Sequence, residues 1–494
     1  MSHAITPERT DGERPIKTDI PARMHDMPWS RFHWMVILGL GTAWILDGIE
    51  VQIVASGGFE SSLSMDTQQV TLAATIYLLG EVAGALLFGR LTDTLGRKKM
   101  FTLTLGLYLV ASAACAFSPN AWFFYVFRFV AGMGIGGEYS AVNSAIDELI
   151  PGKHRGRVDL AINGTYWLGA GLGAVASAIL LNTDNFDENL GWRIAFMLGP
   201  ILGLAIIYLR RHIPESPRWL AKHGRVEEGE KIVQGIEQEV RDAGKQLPPR
   251  EDEEAIWLRR TEGLTPKQLI YVFFKLYPTR TALEATLMIT QSFLYNAIFF
   301  TYSLVLQNFY DLGADEAALY FFPFAIGNLL GPILLGPLFD TVGRRKMIAL
   351  CYGVSGVVLG VSAFLFVAEM LNPLTHTIFW CVSFFFASAG ASAGYLTVSE
   401  IFPQEVRGQA ISYFFSIAQI TGSLGPLLFG VLIGDASSRT PMMWGYLLAT
   451  GVMLIGATVA VIWGVDAERK SLEEIAPPLI EYDDEGNETV DMPV

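Results

Sequence analysis

Long apolar runs alternate with short polar connections over most of the chain. Each run holds about 20 residues, the length that a helix needs to cross the hydrocarbon core of a bilayer. The apolar residues are consecutive and do not alternate with polar ones, which favours helices over the strands of a membrane β-barrel. The pattern predicts an all-α polytopic membrane protein with twelve transmembrane helices, at 34–55, 70–89, 100–118, 121–146, 158–181, 192–211, 281–309, 317–339, 347–370, 374–398, 409–433 and 441–465.

The connections differ in charge between the two sides of the predicted bundle. Those after runs two, four, eight and ten hold the bases Arg90, Arg97, Lys98, Lys99, Lys153, Arg155, Arg157, Arg344, Arg345, Lys346 and Arg407. The opposite connections (56–69, 182–191, 310–316 and 434–440) carry one base and nine acids. Because basic residues collect on the cytoplasmic side of membrane proteins, both termini are predicted to be cytoplasmic. The predicted location is the plasma membrane, which is the inner membrane if the organism is bacterial.

Two motifs occur twice, once in each half of the chain. The segment 89–99 (GRLTDTLGRKK) is matched by the segment 336–346 (GPLFDTVGRRK), 247 residues later. A second motif, E-x-x-P-x-x-x-R-G, begins at Glu148 and again at Glu400, 252 residues later. Two motifs at nearly one offset predict two six-helix halves in the same orientation, and such parallel repeats place a cavity between them at the middle of the membrane.

The same pattern divides the chain into five segments. The six-helix halves are predicted at 34–211 and 281–465. A charged stretch with a helical pattern, at 212–280, is predicted to be a cytoplasmic helical insert between them. The N-terminal residues 1–33 and the acidic residues 466–494 are predicted to be cytoplasmic tails.

Composition agrees with a membrane protein and narrows the function. Only 17% of the residues are charged and 51% are hydrophobic, whereas soluble domains hold about 25% charged residues. The net charge of −14 is the sum of −8 from the outer connections, −8 from the 466–494 segment and +2 from the rest of the chain, so it says nothing about the substrate. No HExxH or Walker motif and no Cys/His cluster occurs, so the sequence predicts no enzyme, no metal or other cofactor, and no nucleic-acid partner.

The repeated loop motif carries a family resemblance. The G-x-L-x-D-x-x-G-R-[RK] pattern of 89–98 and its counterpart at 336–345 resemble the signature of the major facilitator superfamily. Arg128, Gly132 and Gly134 in the fourth run resemble a second signature of that superfamily. The resemblance covers nearly the whole chain outside the tails and implies the twelve-helix transporter fold and a small-molecule substrate.

Within the superfamily, several segments resemble the sugar-porter group. They are PESPRWL at 214–220, SEIFP at 399–403 and LEEI at 472–475. Other segments depart from that group: Asn163 stands where it has a glutamine, and Tyr395 where it has a tryptophan. The segment from Asp47 to Glu50 (DGIE) is instead similar to the D-G-x-[DE] motif of aromatic-acid:proton symporters and synaptic-vesicle-type relatives. The segment GGEY at 136–139 is similar to metabolite:proton symporters. The substrate implied is an organic acid or a sugar or polyol.

Ionisable residues inside the runs are candidates for proton coupling, because such groups are costly in a bilayer and usually face a cavity. They are Asp47, Glu50, Arg128, Glu81 and Glu138. At about 1.5 Å of rise per residue, Asp47 and Arg128 lie roughly 12 and 11 Å below the outer boundary and Glu50 about 8 Å below it. Depth therefore favours Asp47 as the partner of Arg128, while the sugar-porter alignment favours Glu50, and both remain candidates. A permanent ion pair that only joins the two helices is the structural alternative.

Polar residues at family positions are the candidates for substrate binding. Asn163, Gln291, Asn296 and Tyr395 can bind hydroxyl or carboxylate groups by hydrogen bonds. Amides also bond readily between membrane helices, which is the alternative reading of the same residues.

The cytoplasmic motifs resemble the gates of the superfamily. By that resemblance, acid–arginine pairs hold the outward-open state and break when the protein turns inward. The residues concerned are Asp93, Arg97, Glu148, Arg155, Glu215, Asp340, Arg344, Glu400 and Arg407.

The sequence thus predicts a secondary transporter, most simply a proton symporter for a small polar organic solute, working as a monomer in the lipid bilayer. A uniporter that allows facilitated diffusion remains open. A non-transporting sensor is a further alternative, because one fold can serve several functions.

Overall fold

The computed structural model describes residues 16–210, 213–249, 256–258, 266–467, 475–477 and 479. The first half is helical because its apolar runs satisfy their backbone groups within each helix, as a bilayer requires. In chain order its elements are β1 Ile16–Thr18, α1 Ile20–His25, α2 Arg31–Ser56, α3 Glu60–Leu63, α4 Thr67–Leu95, α5 Arg97–Ala116, α6 Ala121–Leu149, α7 Gly152–Leu180 and α8 Glu188–Arg210.

The insert and the second half follow. The insert holds α9 Pro217–Lys222, α10 Val226–Asp242, β2 Ile256–Leu258, α11 Pro266–Tyr271 and a π-helical turn at Val272–Leu276. The second half holds α12 Pro278–Phe299, α13 Tyr302–Tyr310, α14 Ala314–Leu319, α15 Phe321–Thr341, α16 Arg344–Val367, α17 Pro373–Ile401, α18 Gln404–Ile433 and α19 Thr440–Trp463.

Among the described residues, nine helices are long and apolar enough to cross a membrane, and the bent pair α12–α13 makes a tenth. The other two of the twelve predicted spans correspond to α6 and α7, which have 29 residues each. The end of the bundle with the α4–α5, α6–α7, α15–α16 and α17–α18 connections is called here the basic face, and the opposite end the acidic face.

The seventh predicted span, 281–309, is not one continuous helix. It bends by 41° between α12 and α13. The Thr301 hydroxyl donates a hydrogen bond to the Ala297 carbonyl at this point, and the Thr301 amide bonds to Ile298 instead of continuing the α-helical ladder. Such side-chain competition for backbone carbonyls is a known cause of bends, and the apolar pattern alone gives no sign of it.

The chain is not entirely helical, since β1 and β2 form one short antiparallel pair. This pair and α1 bring residues 16–25 against the insert. Arg23 of α1 lies 2.8 Å from Glu237 and 2.8 Å from Glu230, both on α10. Ile20 and Met24 are buried beside these ion pairs. The N-terminal segment therefore packs on the insert, a contact that the sequence did not predict.

The halves meet along two pairs of helices. α4 of the first half packs along α18 of the second, and α7 packs against α15. Thr75 of α4 donates a hydrogen bond of 2.9 Å to the Ser423 carbonyl of α18. Between these two seams the halves separate and leave the cavity described next.

Candidate functional site

A cavity of about 200 Å³ lies between the two halves. Ten of its nineteen lining residues are aromatic, two are the acids Asp47 and Glu81, and none of the described lining residues is basic. The first half contributes both acids, while the second half contributes the amides Gln291, Asn296 and Gln419. The structure has the cavity between the two halves, as the repeat predicted.

Glu50, and not Asp47, is the ion-pair partner of Arg128. The Glu50 Oε1 atom lies 2.6 Å from Arg128 Nη1, and the two side chains are 2% and 0% exposed. The Ser112 hydroxyl donates a second hydrogen bond to Glu50. Side chains of a helix point towards its N-terminus. Those of α2 and α6, which run in opposite directions, therefore lean towards each other at this pair, and backbone depth alone misjudged the partner.

Asp47 is held by a different group and faces the cavity. The Tyr77 hydroxyl of α4 donates a hydrogen bond of 2.7 Å to Asp47 Oδ1. The Arg128 guanidinium lies over the same ring, 4.0 Å from its centroid. Tyr77 therefore contacts both the cavity acid and the buried ion pair.

Glu81 joins the two halves. It accepts a hydrogen bond from the Gln419 side chain of α18. Its backbone lies against α6 at Gly136, where an added Cβ would sit 2.0 Å from the Glu81 carbonyl oxygen. Only glycine allows this close approach of α4 and α6, which fixes the position of Glu81 at the cavity wall. Glu138 is also buried, 3% exposed, but it does not line the cavity.

Three of the four residues predicted to bind substrate line the cavity: Gln291, Asn296 and Tyr395. Asn163 does not line the cavity. That part of the wall is formed by Tyr166 and Trp167, which lie one turn further along α7. Ser292 links two of the amide side chains: its hydroxyl donates a hydrogen bond of 2.8 Å to Gln419 Oε1, and its carbonyl accepts one of 2.9 Å from Asn296 Nδ2.

Aromatic rings form most of the remaining wall, and sequence analysis did not select most of them. Tyr139 of α6 stacks on Phe415 of α18 at 4.4 Å between centroids, across the two halves. Trp167 of α7 faces Tyr295 of α12 at 6.0 Å. Aromatic residues are common throughout the runs, so only the tertiary structure distinguishes these from packing residues.

Contacts between the halves also occur towards the acidic face. Gln52 Nε2 of α2 donates a hydrogen bond of 2.6 Å to the Tyr302 hydroxyl of α13. Nearer the end of the bundle, Asn182 donates 2.9 Å to Asp315. With the Tyr139–Phe415 stack on the other side, the cavity has inter-half contacts towards both faces.

At the basic face, both repeats form the same ion pair. Arg97 lies 3.0 Å from Glu148, and Arg344 lies 2.7 Å from Glu400. Glu215 takes another role, since its carboxylate accepts hydrogen bonds from the backbone N–H groups of Arg97 and Lys98 at the start of α5, where the helix dipole favours a negative charge.

The remaining predicted gating residues are less fully described. Arg407 is half-buried on α18. The side chains of Asp93, Arg155 and Asp340 lie outside the described part of the structure.

Comparison with known proteins matches most of the chain. The family model for "Sugar (and other) transporter" matches residues 48–478. The niacin transporter NiaP of Acinetobacter baylyi is 26% identical over 473 residues, covering 92% of this chain and 99% of NiaP. The Escherichia coli protein named putative metabolite transport protein YdjK is 26% identical over 491 residues, covering 94% and 98% of the two chains.

Solved structures show the same fold. A structure of the proton:xylose symporter XylE of the major facilitator superfamily, bound to 6-bromo-6-deoxy-D-glucose, aligns with a TM-score of 0.69 and 18% identity. The alignment covers 90% of this chain and 98% of XylE. The fold is therefore the major facilitator fold, as predicted. The protein is an integral membrane transporter and not an enzyme, and it belongs to the sugar (and other) transporter family.

Proposed function

We propose that this transporter is a proton-coupled symporter that carries a small organic solute by alternating access. The observation that supports the proposal most strongly is the position of Asp47 and Glu81. Both carboxyl groups line the cavity between the halves, and neither is part of an ion pair among the described side chains. Ionisable groups with such a position in a membrane usually bind the transported ion.

The buried ion pair links these acids to the helices that move. Glu50 and Arg128 neutralise each other, so their charges persist in a bilayer. Tyr77 contacts Arg128 with its ring and Asp47 with its hydroxyl. A proton taken up by Asp47 removes the acceptor charge of the Tyr77 bond and so changes the packing of α4 on α2 and α6. In this way the protonation state of the cavity acts on the inter-helix contacts.

The acid–arginine pairs at the basic face act as the gate in this proposal. Each pair joins the start of one helix to the end of the next helix: Arg97 of α5 to Glu148 of α6, and Arg344 of α16 to Glu400 of α17. Their separation opens the cavity towards the basic face. By the distribution of bases, that face and both termini lie in the cytoplasm and the protein lies in the plasma membrane. The proposed domain boundaries are 1–33, 34–211, 212–280, 281–465 and 466–494.

The lining favours a flat ring as the solute. Ten aromatic side chains offer faces for stacking, and a cavity of about 200 Å³ accommodates a single substituted ring. An anion would enter beside two acids without a basic residue among the described lining, which is costly at low dielectric. A neutral or cationic ring therefore fits better than the carboxylate form of an organic acid.

The solute class is tested with three compounds that share the pyridine ring but differ in net charge. Nicotinate, nicotinamide and 3-picolylamine are anionic, neutral and cationic at pH 7, and D-xylose serves as the sugar comparison. Binding to the purified protein is measured by calorimetry. We expect nicotinamide and 3-picolylamine to bind more tightly than nicotinate and xylose. Tightest binding of nicotinate or of xylose would contradict the proposed solute class.

Proton coupling is tested separately, in proteoliposomes with the tightest binder of this series as solute. An inward pH gradient should drive uptake above the equilibrium level, and a protonophore should abolish that accumulation. Uptake that reaches only equilibrium and is unaffected by protonophore would identify a uniporter instead.

A further inference from the structure

Glu284 is a buried acid of the second half that the function proposed above does not use. It lies on α12, and its side chain is 0% exposed. Neither carboxyl oxygen has a hydrogen-bond partner among the described residues. It does not line the cavity, and it stands in none of the motifs found in the sequence.

The groups around Glu284 do not neutralise a charge. Tyr352 of α16 and Tyr395 of α17 are near enough to interact with it electrostatically. The Tyr352 hydroxyl, however, donates its hydrogen bond to the Leu287 carbonyl, at 3.0 Å. The ionisable residues of α18 are Glu405, Arg407 and Tyr413 and that of α19 is Tyr446. No described side chain forms an ion pair with Glu284. An unpaired carboxylate at such a site is strongly disfavoured relative to the neutral acid.

A cation lies one turn away on the same helix face, at Arg280. Its guanidinium is engaged elsewhere, donating to the Ile401 carbonyl at 2.6 Å and to the Ile475 carbonyl at 2.8 Å. Ile401 is the last residue of α17 and directly follows Glu400, which pairs with Arg344 in the gate. Movement of this end of α17 therefore both breaks the gate and releases Arg280.

We propose that Glu284 is a second proton-binding site, located in the second half and controlled by the basic-face gate. While the gate is closed, Glu284 holds a proton. When the gate opens, Arg280 leaves the Ile401 carbonyl and turns towards Glu284. The O–H bond of the acid breaks, the proton passes to water at the basic face, and the carboxylate pairs with the guanidinium. This adds one bound proton to the cycle proposed for the first half.

Infrared spectroscopy of the protein in lipid nanodiscs tests this without any transported solute. A protonated carboxyl has a C=O stretching band that a carboxylate lacks. At pH 7 the wild-type spectrum should contain a band that Glu284→Gln removes and that Glu284→Asp shifts. The paired gate variant Glu148→Gln/Glu400→Gln should lose the band. Addition of Arg280→Gln to that variant should restore it, because the carboxylate then has no cation.

Each result bears on Glu284 alone. A wild-type band that neither Glu284→Gln nor Glu284→Asp changes would mean that Glu284 is already ionised, and the proposal would be wrong. A band present in the gate variant would also overturn it, since the proton would then be independent of the gate. Because no solute is involved, these outcomes stay separate from a failure of proton-driven uptake. Asp311→Asn is the matched control, since Asp311 is an exposed acid of the same half in a left-handed conformation that asparagine tolerates.

Discussion

The two halves share one fold but divide the chemistry unequally. In the first half, Asp47, Glu50, Glu81 and Arg128 lie close together inside the membrane, and glycine contacts bring α4 and α6 into near backbone contact. In the second half the corresponding region holds amides and a bent helix, with Glu284 as a buried acid outside the cavity. The first half thus carries the cavity charges, and the second half, with its bend at Thr301, carries neutral hydrogen-bonding groups.

This difference between the halves explains how one cavity can bind both protons and a solute. Buried charges need fixed partners, because a small displacement leaves one of them unpaired. Amide and aromatic groups tolerate displacement, since they keep hydrogen-bonding and stacking options in several positions. The half that repacks around a solute therefore benefits from having few charges at the cavity, whereas the half that holds the cavity acids benefits from fixed partners.

The largest predicted effect lies in the first half, at the ion pair. Glu50→Gln leaves the Arg128 guanidinium buried without its countercharge, so the folded state should lose about 3–5 kcal/mol. Thermal unfolding in detergent measures this loss. The double variant Glu50→Gln/Arg128→Met removes both charges and should recover part of the stability, with Asp311→Asn as an unaffected control. Equal stability of Glu50→Gln and wild type would show that the first half does not depend on this pair.

A smaller effect is expected at the gate, where the two halves should behave alike. Glu148→Gln and Glu400→Gln each weaken a partly buried ion pair by about 1 kcal/mol, which is about a fivefold shift towards opening at the basic face. Distances between spin labels at the exposed residues Lys99 and Lys346 report the two populations by electron paramagnetic resonance. A shift in one variant and none in the other would show that the repeated motif acts in only one half.

The smallest effect is expected at the bend of the second half. Thr301→Ala removes the side-chain hydrogen bond to the Ala297 carbonyl, which contributes about 0.5–1.5 kcal/mol. The helix should then continue more readily from α12 into α13. Slower uptake with unchanged proton dependence would agree with a role in solute access, and a change in proton dependence would contradict a role confined to solute access.

Sequence predicted the spans and the repeat, because each depends on local composition or on a motif. The repeated motifs supplied a set of acids and arginines able to pair without assigning the partners, and the structure joins Arg97 to Glu148 and Arg344 to Glu400. The sequence did not predict the bend at Thr301 or the docking of Arg23 on α10, because both depend on specific contacts in the folded chain.

The site was predicted less completely than the fold. Asp47, Glu81, Gln291, Asn296 and Tyr395 do line the cavity. The partner of Asp47 is not predicted, because Tyr77 looks like an ordinary member of an apolar helix until α4 packs on α2. A glutamine in the middle of an apolar run was a usable signal for Gln419. Glu284 offers a similar signal, because it is an acid near the start of a predicted span, but it was not among the residues predicted to function.

The central claim is that cavity acids of the first half couple solute transport to protons, and Asp47→Asn tests it most directly. Solute accumulation in proteoliposomes under an inward gradient of one pH unit is compared with solute exchange across the same membranes. Each coupled proton supplies about a tenfold accumulation under this gradient. Asp47→Asn should still exchange solute but should accumulate about tenfold less of it than the wild type. Accumulation by Asp47→Asn equal to that of the wild type would contradict the coupling role of Asp47.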